Sequence, residues 1–206
     1  MSRLNVNAIQ GPSNVVRVAY PNVIYAPGNI IQVRWNTSME RTYYTVPNND
    51  AGMRGGNFAE GINQGGVIIR PLDITITPRS PDSFIFVEFN MFYECSHDVV
   101  FSVLRDGQLV GAQFQSGGTQ TGQSGKWTGA AVSRYDNNND STPSYLNLPW
   151  IDCPGVSHPI TYSIAAKSSN STQHGFTLNC TLSNYQYGTD AYEQGVSFSI
   201  AQEIAY

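Results

Sequence analysis

A thiol and an imidazole lie close together in the stretch WIDCPGVSHPITYSIAA, residues 150–166. Cys153 and His158 are the residue types of a nucleophile and its general base, a pair that also needs a third group to orient the base. No nucleophile signature such as GxSxG surrounds either residue, and His158 precedes Pro159 in a turn. A partly buried structural thiol is the commoner state of a free cysteine. The stretch is therefore interpreted as a corner that leads into a strand.

A second candidate for chemistry is the segment DNNNDS, which places Asp136, Asn138 and Asp140 at the first, third and fifth positions of a calcium loop. The sixth position is Ser141 where the turn needs glycine, and the twelfth is Asn147 where a bidentate glutamate is required. The pattern excludes an EF-hand. A solvated Asn-rich turn is the preferred interpretation, a looser cation-binding loop stays open, and no cofactor is predicted.

The longest alternating stretch, SFIFVEFNMFYE (residues 83–94), predicts a strand with two different faces. The first face is predicted to lie in the core and holds Ile85, Val87, Phe89, Met91 and Tyr93. The second face holds Phe84, Phe86, Glu88, Asn90 and Phe92. A mixture of aromatic and polar side chains is typical of a subunit interface, and a second sheet packed on this face is an equally good interpretation. Glu88 is interpreted as an interface or edge charge rather than a catalytic acid.

The elements that must position these residues are strands, because almost every ordered stretch alternates with period two and none keeps a helical period. Asp106-Gly107 joins two alternating runs and predicts a tight hairpin. Residues 115–125 and 135–144 are loops by composition. Further strands are predicted within residues 29–35, 43–46, 66–70, 72–78, 160–166, 175–182 and 195–206. The pattern predicts an all-β, antiparallel sandwich or jelly roll in one domain, residues 21–206, after an N-terminal arm or first strand, residues 1–20.

Composition narrows the classes of partner. Charged residues make up 13% of the chain, and the few basic ones are scattered at a net charge of −4, which argues against nucleic acid. Cys95, Cys153 and Cys180 are expected to be buried or semi-buried thiols in a reducing cell, with one disulfide as the weaker alternative. No apolar run has the length of a signal sequence or a membrane span, so a start near Met1, folding in a cytoplasm and no membrane partner are expected.

The final strand predicts packing at the end of the sequence. Val196, Phe198, Ile200 and Ile204 share one face, and the stretch finishes at Tyr206. An apolar strand at a chain end frays unless it is packed, and a central position in an oligomer would provide that packing.

Six segments, taken in order, resemble the jelly-roll domain of capsid decoration (cement), head-fibre and tail-fibre proteins of tailed, cyanophage-like bacteriophages. They are APGNIIQV (26–33), LDITITPRS (72–80), VLRDGQLVG (103–111), DCPGVSHPITYSI (152–164), FTLNCTL (176–182) and SFSIAQEI (197–204). The resemblance spreads over most of the chain beyond residue 26. One departure is Cys153, because a serine is more usual between Asp152 and Pro154.

The resemblance implies a jelly roll similar to the tumour necrosis factor fold, assembled as a homotrimer around a threefold axis. It brings no catalytic residues, so an enzyme is not expected, and it implies a virion component made in the host bacterial cytoplasm. Expected partners are the chain itself and the major capsid protein or other virion proteins. The expected trimer interface comprises Phe84, Phe86, Phe92, Phe198, Ile200 and Tyr206, and the expected capsid-contacting arm comprises Arg3, Leu4 and Val6.

Two functions follow as expectations. Only a short segment precedes the β-domain, which favours a capsid decoration protein over a fibre with a long shaft. The alternative is a tail-fibre or receptor-binding tip that recognises a host surface glycan or protein. Its candidate residues, near the two predicted loops, are Trp127, Tyr135, Tyr145 and Trp150, although core packing at strand ends is the slightly preferred interpretation of these aromatic residues. A depolymerase or esterase is the least favoured class, because the sequence shows no recognised nucleophile or metal set.

Overall fold

The structure, a computed structural model, describes residues 9–10, 15–19, 23–46, 67–95, 99–111, 130–133, 141–168, 174–182, 185 and 193–206. The strands in these residues are β1 (Ile9–Gln10), β2 (Val15–Ala19), β3 (Val23–Tyr25), β4 (Ile30–Ser38), β5 (Thr42–Val46), β6 (Val67–Ile68), β7 (Ile74–Ile76), β8 (Phe84–Cys95), β9 (Val99–Arg105), β10 (Gln108–Gly111), β11 (Ala131–Val132), β12 (Ser144–Asp152), β13 (Ile160–Ser168), β14 (His174–Leu178) and β15 (Ser197–Ile204). A single 3-10 turn, Arg70–Leu72, accompanies them.

Two antiparallel sheets contain twelve of these strands. The β8 sheet has the order β4-β15-β8-β14-β5, and β12 pairs with the other side of β8. The β9 sheet has the order β10-β9-β13-β6, with β11 paired to β9 and β7 paired to β13. Strands β1, β2 and β3 form a separate small antiparallel sheet. The described chain is thus built from strands, as its period-two alternation predicts.

One core lies between the two large sheets. The predicted inner face of β8 is buried throughout, from Ile85 to Tyr93, and it packs with buried residues of β9 and β13 in one cluster. Phe101 of the β9 sheet makes edge contacts with two rings of the β8 sheet, Tyr93 at 5.4 Å and Phe176 at 6.1 Å between centroids. A shared core between two sheets makes this a β-sandwich, so that part of the prediction is confirmed. The jelly-roll connectivity and the trimer stay predictions.

The hairpin predicted at Asp106-Gly107 is confirmed. Asp106 and Gly107 have φ angles of 47° and 82°, the left-handed conformations that a tight hairpin turn requires. The Asp106 carboxylate accepts a hydrogen bond from the Thr161 backbone N–H at 2.8 Å, which fastens the turn to β13.

The structure differs from the sequence-based strand predictions in three places. Strand β12 was not predicted. The stretch 66–70 stops being a strand after Ile68, because the following 3-10 turn contains Pro71, which lacks the backbone donor of a strand residue. The stretch 175–182 ends as a strand at Leu178, where Asn179 takes a φ of 61°. The domain boundary after residue 20 stays a prediction, although β2 and β3 pair across it.

Candidate interaction face

The outer side of the β8 sheet, which points away from the shared core, is the most unusual surface of the described chain. Directly paired residues of an antiparallel sheet share a face, so the register shows which side chains lie there. Three rows cross from β12 through β8 and β15 to β4. They are Ile151–Phe86–Gln202–Val33, Pro149–Glu88–Ile200–Trp35 and Asn147–Asn90–Phe198–Thr37. These twelve residues, with Phe84 and Tyr145 on the same side, are called the open face.

Strand β15 carries its large apolar side chains on the open face rather than in the core. Its buried positions hold small or polar residues, Ser197, Ser199, Ala201 and Glu203. Its outward positions, Phe198 and Ile200 among them, are only half-buried. Apolar side chains normally fill the interior and polar ones the surface. In β15 this order is inverted, which indicates that its outer side meets another apolar surface.

Large apolar side chains on neighbouring strands continue this surface. Trp35 is 74% exposed, Ile151 is 59% exposed and Tyr145 is 56% exposed. Single exposed apolar residues are ordinary, whereas a contiguous group with a polar border marks an interaction site. The open face is such a group.

A hydrogen-bonded polar cluster lies within this apolar surface. The Asn147 side-chain amide donates to the Glu88 carboxylate at 2.6 Å and to the Asn90 carbonyl oxygen at 2.8 Å. The Asn90 amide donates to the same carboxylate oxygen of Glu88 at 2.8 Å. Burial, and next the negative charge of Glu88, raise the pKa of the nearby Tyr145 hydroxyl. The predicted interface or edge charge therefore lies on the outer side of the sheet with its amide partners in place.

The other end of the same outer side is covered by the chain itself. Glu94, two residues beyond Phe92 along β8, is fully buried and accepts hydrogen bonds from the backbone N–H groups of Thr142 and Leu182. A Cβ on Gly195 would lie 2.2 Å from Cγ of Phe92, so the backbone there lies directly on that ring. Among the described residues, the loops cover one half of this side and none covers the apolar half.

The structure brings most of the predicted interface residues together. Phe84, Phe86, Phe198 and Ile200 lie on the outer side of adjacent strands, and Phe92 lies where the covered half begins. Tyr206 is exposed and its ring meets Phe84 edge-on, with centroids 5.3 Å apart. Their role in a trimer stays a prediction. The arm residues Arg3, Leu4 and Val6 lie outside the described residues.

Two of the four predicted receptor residues are described, and their receptor role stays a prediction. Tyr145 and Trp150 belong to strand β12 rather than to a loop, because the run Leu146, Leu148 and Trp150 alternates into the core side of the sheet. Tyr145 lies on the open face, and Trp150 packs half-buried against the core on the opposite side. Trp127 and Tyr135 lie outside the described residues.

The two candidate catalytic residues do not form a site in the described chain. Cys153 is exposed rather than partly buried, His158 is exposed, and in the described chain no hydrogen bond joins them. Cys95 and Cys180 are buried, and no disulfide joins any of the three cysteines, all of which are described. Burial raises the pKa of the Cys180 thiol. Asp136, Asn138 and Asp140 lie outside the described residues, and the described ones hold no cluster of metal-binding side chains.

Sequence reasoning missed seven residues of the open face, of which four matter most for the site: Val33, Trp35, Asn147 and Ile151. The signal for two of them was the alternation in SYLNLPWID, residues 144–152, which contains Pro149. The signal for the other two was the alternation in the predicted strand 29–35, which does not say which side faces the core.

Comparisons with known proteins find similar solved structures but no matching sequence family. No protein-family model matches the chain, and no curated protein sequence matches it. Solved structures similar to it include capsid structures of infectious bursal disease virus. The Gx strain structure has a TM-score of 0.37 and 10% identity over 96% of this chain and 39% of that chain. The Gt strain structure has a TM-score of 0.39 and 10% identity over 95% of this chain and 46% of that chain.

The VP2 subviral particle of the same virus has a TM-score of 0.36 and 9% identity, over 95% of this chain and 48% of that chain. The chain therefore spans less than half the length of the structures it matches. At these identities and TM-scores, the likeness establishes neither a shared family nor a shared function. Within the described part of the chain, no helix has the length and apolar character needed to cross a membrane.

Proposed function

We propose that this chain is a non-enzymatic structural protein of a bacteriophage virion. In this proposal it assembles as a homotrimer through the open face and decorates the head shell. The resemblance of its six ordered segments to phage decoration and fibre domains supports the virion role. The N-terminal arm with Arg3, Leu4 and Val6 would contact the major capsid protein, and each trimer would stabilise the shell by binding its assembled state preferentially.

The observation that carries self-association is the inverted strand β15. Phe198 and Ile200 face outward while Ser199 and Glu203 face the core, so burial in the monomer does not explain the apolar residues. Burial of one such side chain contributes about 1.5–3 kcal/mol. Association that covers the open face recovers this contribution at several positions at once.

The oligomeric state tests this proposal. Ile200→Asp places a charge in the centre of the open face, and we expect the variant to be a monomer at micromolar concentration while the wild type is a trimer. It should remain folded, because Ile200 points away from the core. Thr45→Asp, an exposed position on β5 outside the open face, should remain trimeric. Size-exclusion chromatography with light scattering measures the masses, and a monomeric wild type would contradict the proposal.

The position in the virion needs its own experiment. Immunogold labelling of purified virions should mark the head, and loss of the gene should make the shell less stable to heat. Label confined to tail tips would instead favour the receptor-binding alternative.

One feature of the open face favours that alternative. The exposed Tyr145 ring lies near the acceptor groups of Glu88 and Asn147, and sugar-binding surfaces combine aromatic rings with such groups. Binding on a glycan array that Tyr145→Ala abolishes would support a receptor-binding tip.

A further inference from the structure

The polar cluster on the open face has more unfilled acceptor positions than donors. Asn147 uses both of its amide hydrogens on Glu88 and Asn90, and the buried Asn90 donates one of its two amide hydrogens to Glu88. Both bonds to Glu88 end on Oε1. Among the described residues, nothing donates to Oε2 of Glu88 or to the carbonyl oxygen of Asn147. A partner that covers this surface must therefore bring a hydrogen-bond donor, since a carboxylate buried without one is strongly destabilising.

The same face carries an unused donor at its other side. Trp35 lies on β4, is 74% exposed, and its indole N–H donates to no described residue. An indole nitrogen is a donor only, so it matches the unfilled acceptors of Glu88 and Asn147.

Donor and acceptors cannot meet within one chain. Trp35 and Glu88 lie in the same row, with Ile200 between them. Two strand spacings separate their backbones by roughly 10 Å. The indole donor and the carboxylate and amide acceptors therefore lie on the same face but do not form a hydrogen bond within one chain.

We infer that copies of this chain associate head to tail, with Trp35 of one copy on the β8–β12 side of the next and its indole N–H donating to the Glu88–Asn147 acceptors. The inference rests on the self-association proposed above. A threefold ring requires two different patches to meet at each contact, and the open face has them at opposite sides. Ile200, between the two patches, is then covered in every copy.

A second copy fits this face better than a glycan does. The surface between Trp35 and the polar cluster is Ile200, flanked by Phe86 and Phe198. A sugar placed there would lose water from its hydroxyl groups without gaining partners, whereas an apolar protein surface loses nothing comparable. An aromatic anchor, an apolar centre and a desolvated acceptor are also typical of interface hot spots.

A double-mutant cycle on assembly tests the contact. Trp35→Phe keeps an aromatic ring and removes the N–H, and Glu88→Gln keeps the shape and removes the charge. We expect each to weaken association by about ten- to a hundredfold per interface, because a hydrogen bond to a charged group contributes about 1.5–3 kcal/mol. The double variant should be little weaker than either single variant. Trp150→Phe, on the opposite side of β12, is the matched control and should not weaken association.

Three quantities, measured on the full chain by two methods, distinguish the outcomes. Sedimentation equilibrium gives stoichiometry and dissociation constants, and denaturant unfolding of each variant at low concentration gives its stability as a monomer. Coupling in assembly without coupling in unfolding supports the inter-copy contact, since residues this far apart in one chain should act additively. A trimer in which the two effects are additive overturns the inference and leaves the proposed function standing.

Three further outcomes would overturn either the inference or the proposed function. A wild-type dimer overturns the head-to-tail ring, and a wild-type monomer overturns the proposed function itself. Binding of a glycan that Trp35→Ala abolishes, with no self-association, assigns the face to a carbohydrate and overturns the inference.

Discussion

Two glutamates of the β8 sheet are fully buried, and each is satisfied by backbone donors. Glu203 accepts hydrogen bonds from the N–H groups of Arg79 at 2.8 Å and Ser80 at 3.2 Å, and from the Gln32 side chain at 2.6 Å. Glu94 accepts from Thr142 and Leu182 in the same manner. Buried charge is tolerated where several donors surround it. These carboxylates hold neighbouring loops against the sheet. Some buried positions of the sheet therefore make polar rather than apolar contacts.

Tyrosine burial makes the stability of the fold depend on pH in the alkaline range. Burial raises the pKa of Tyr93 from 10.0 to about 12, and the pKa of Tyr44 rises similarly. The unfolded chain ionises near pH 10 and the folded chain later, so this stability is complete below pH 10 and falls as the pH rises towards 12. We expect Tyr93 alone to account for about 3 kcal/mol of the loss.

Urea unfolding at pH 9 and at pH 11.5 measures this effect. Tyr93→Phe should lose less stability over that interval than the wild type. Tyr185→Phe, which alters an exposed ring, should lose as much stability as the wild type. Equal losses in the wild type and Tyr93→Phe would show that Tyr93 ionises equally in both states.

At the scale of residues, the sequence predicted which side of the alternating strand β8 faces the core, but not which polar side chains are buried. The inner side of β8 was correct from Ile85 to Tyr93, because an alternating strand of this length has one apolar side that must be covered. Glu203 could not be identified as buried, because its donor Arg79 lies 124 residues away in sequence. Only the folded arrangement brings such partners together.

Strand β12 shows why some elements were missed. It contains Pro149, which usually argues against a strand, yet among the described strands β12 pairs with β8 alone. A proline on an edge strand can point its missing N–H away from the partner. The sequence alone does not say that the strand is an edge, and so no strand was predicted over residues 144–152.

Two glycines that lie against aromatic rings of the β8 sheet differ in importance. A Cβ on Gly195 would meet Cγ and Cβ of Phe92 at 2.2 and 2.6 Å, and the Cβ of Phe92 cannot move without the backbone of β8. A Cβ on Gly175 would meet the ring end of Tyr43, which can swing away at the loss of its stacking on Tyr185. The first clash should therefore be the more severe.

We expect Gly195→Ala to lower the free energy of unfolding by about 3 kcal/mol or more, as overpacking against a fixed neighbour does. Gly175→Ala should lower it by about 1 kcal/mol, the usual contribution of an aromatic pair. Denaturant unfolding of both variants measures the difference. Equal losses would contradict a rigid contact between Gly195 and Phe92.

At the scale of the molecule, the two sheets are joined by their core and by polar contacts, one of them at Asp152. Asp152 of β12 accepts hydrogen bonds from Arg105 at 2.7 Å and from the Tyr162 hydroxyl at 2.8 Å, both in the β9 sheet. The sandwich class followed from the sequence because alternation is repeated in nearly every segment. The open face did not, because the alternation of β15 is the same whichever side faces the core.

Thermal stability should depend on protein concentration if the open face is covered in a trimer. Association stabilises the folded chain by mass action, so a higher concentration raises the melting temperature. We expect the wild-type Tm to rise by a few degrees for each tenfold increase in concentration, given the usual relation between free energy and Tm for domains of this size. Ile200→Asp should melt lower and at the same temperature at every concentration. Calorimetry over a hundredfold range of concentration measures both. A constant wild-type Tm would mean that unfolding is not coupled to dissociation, and the apolar side of β15 would then need a different partner.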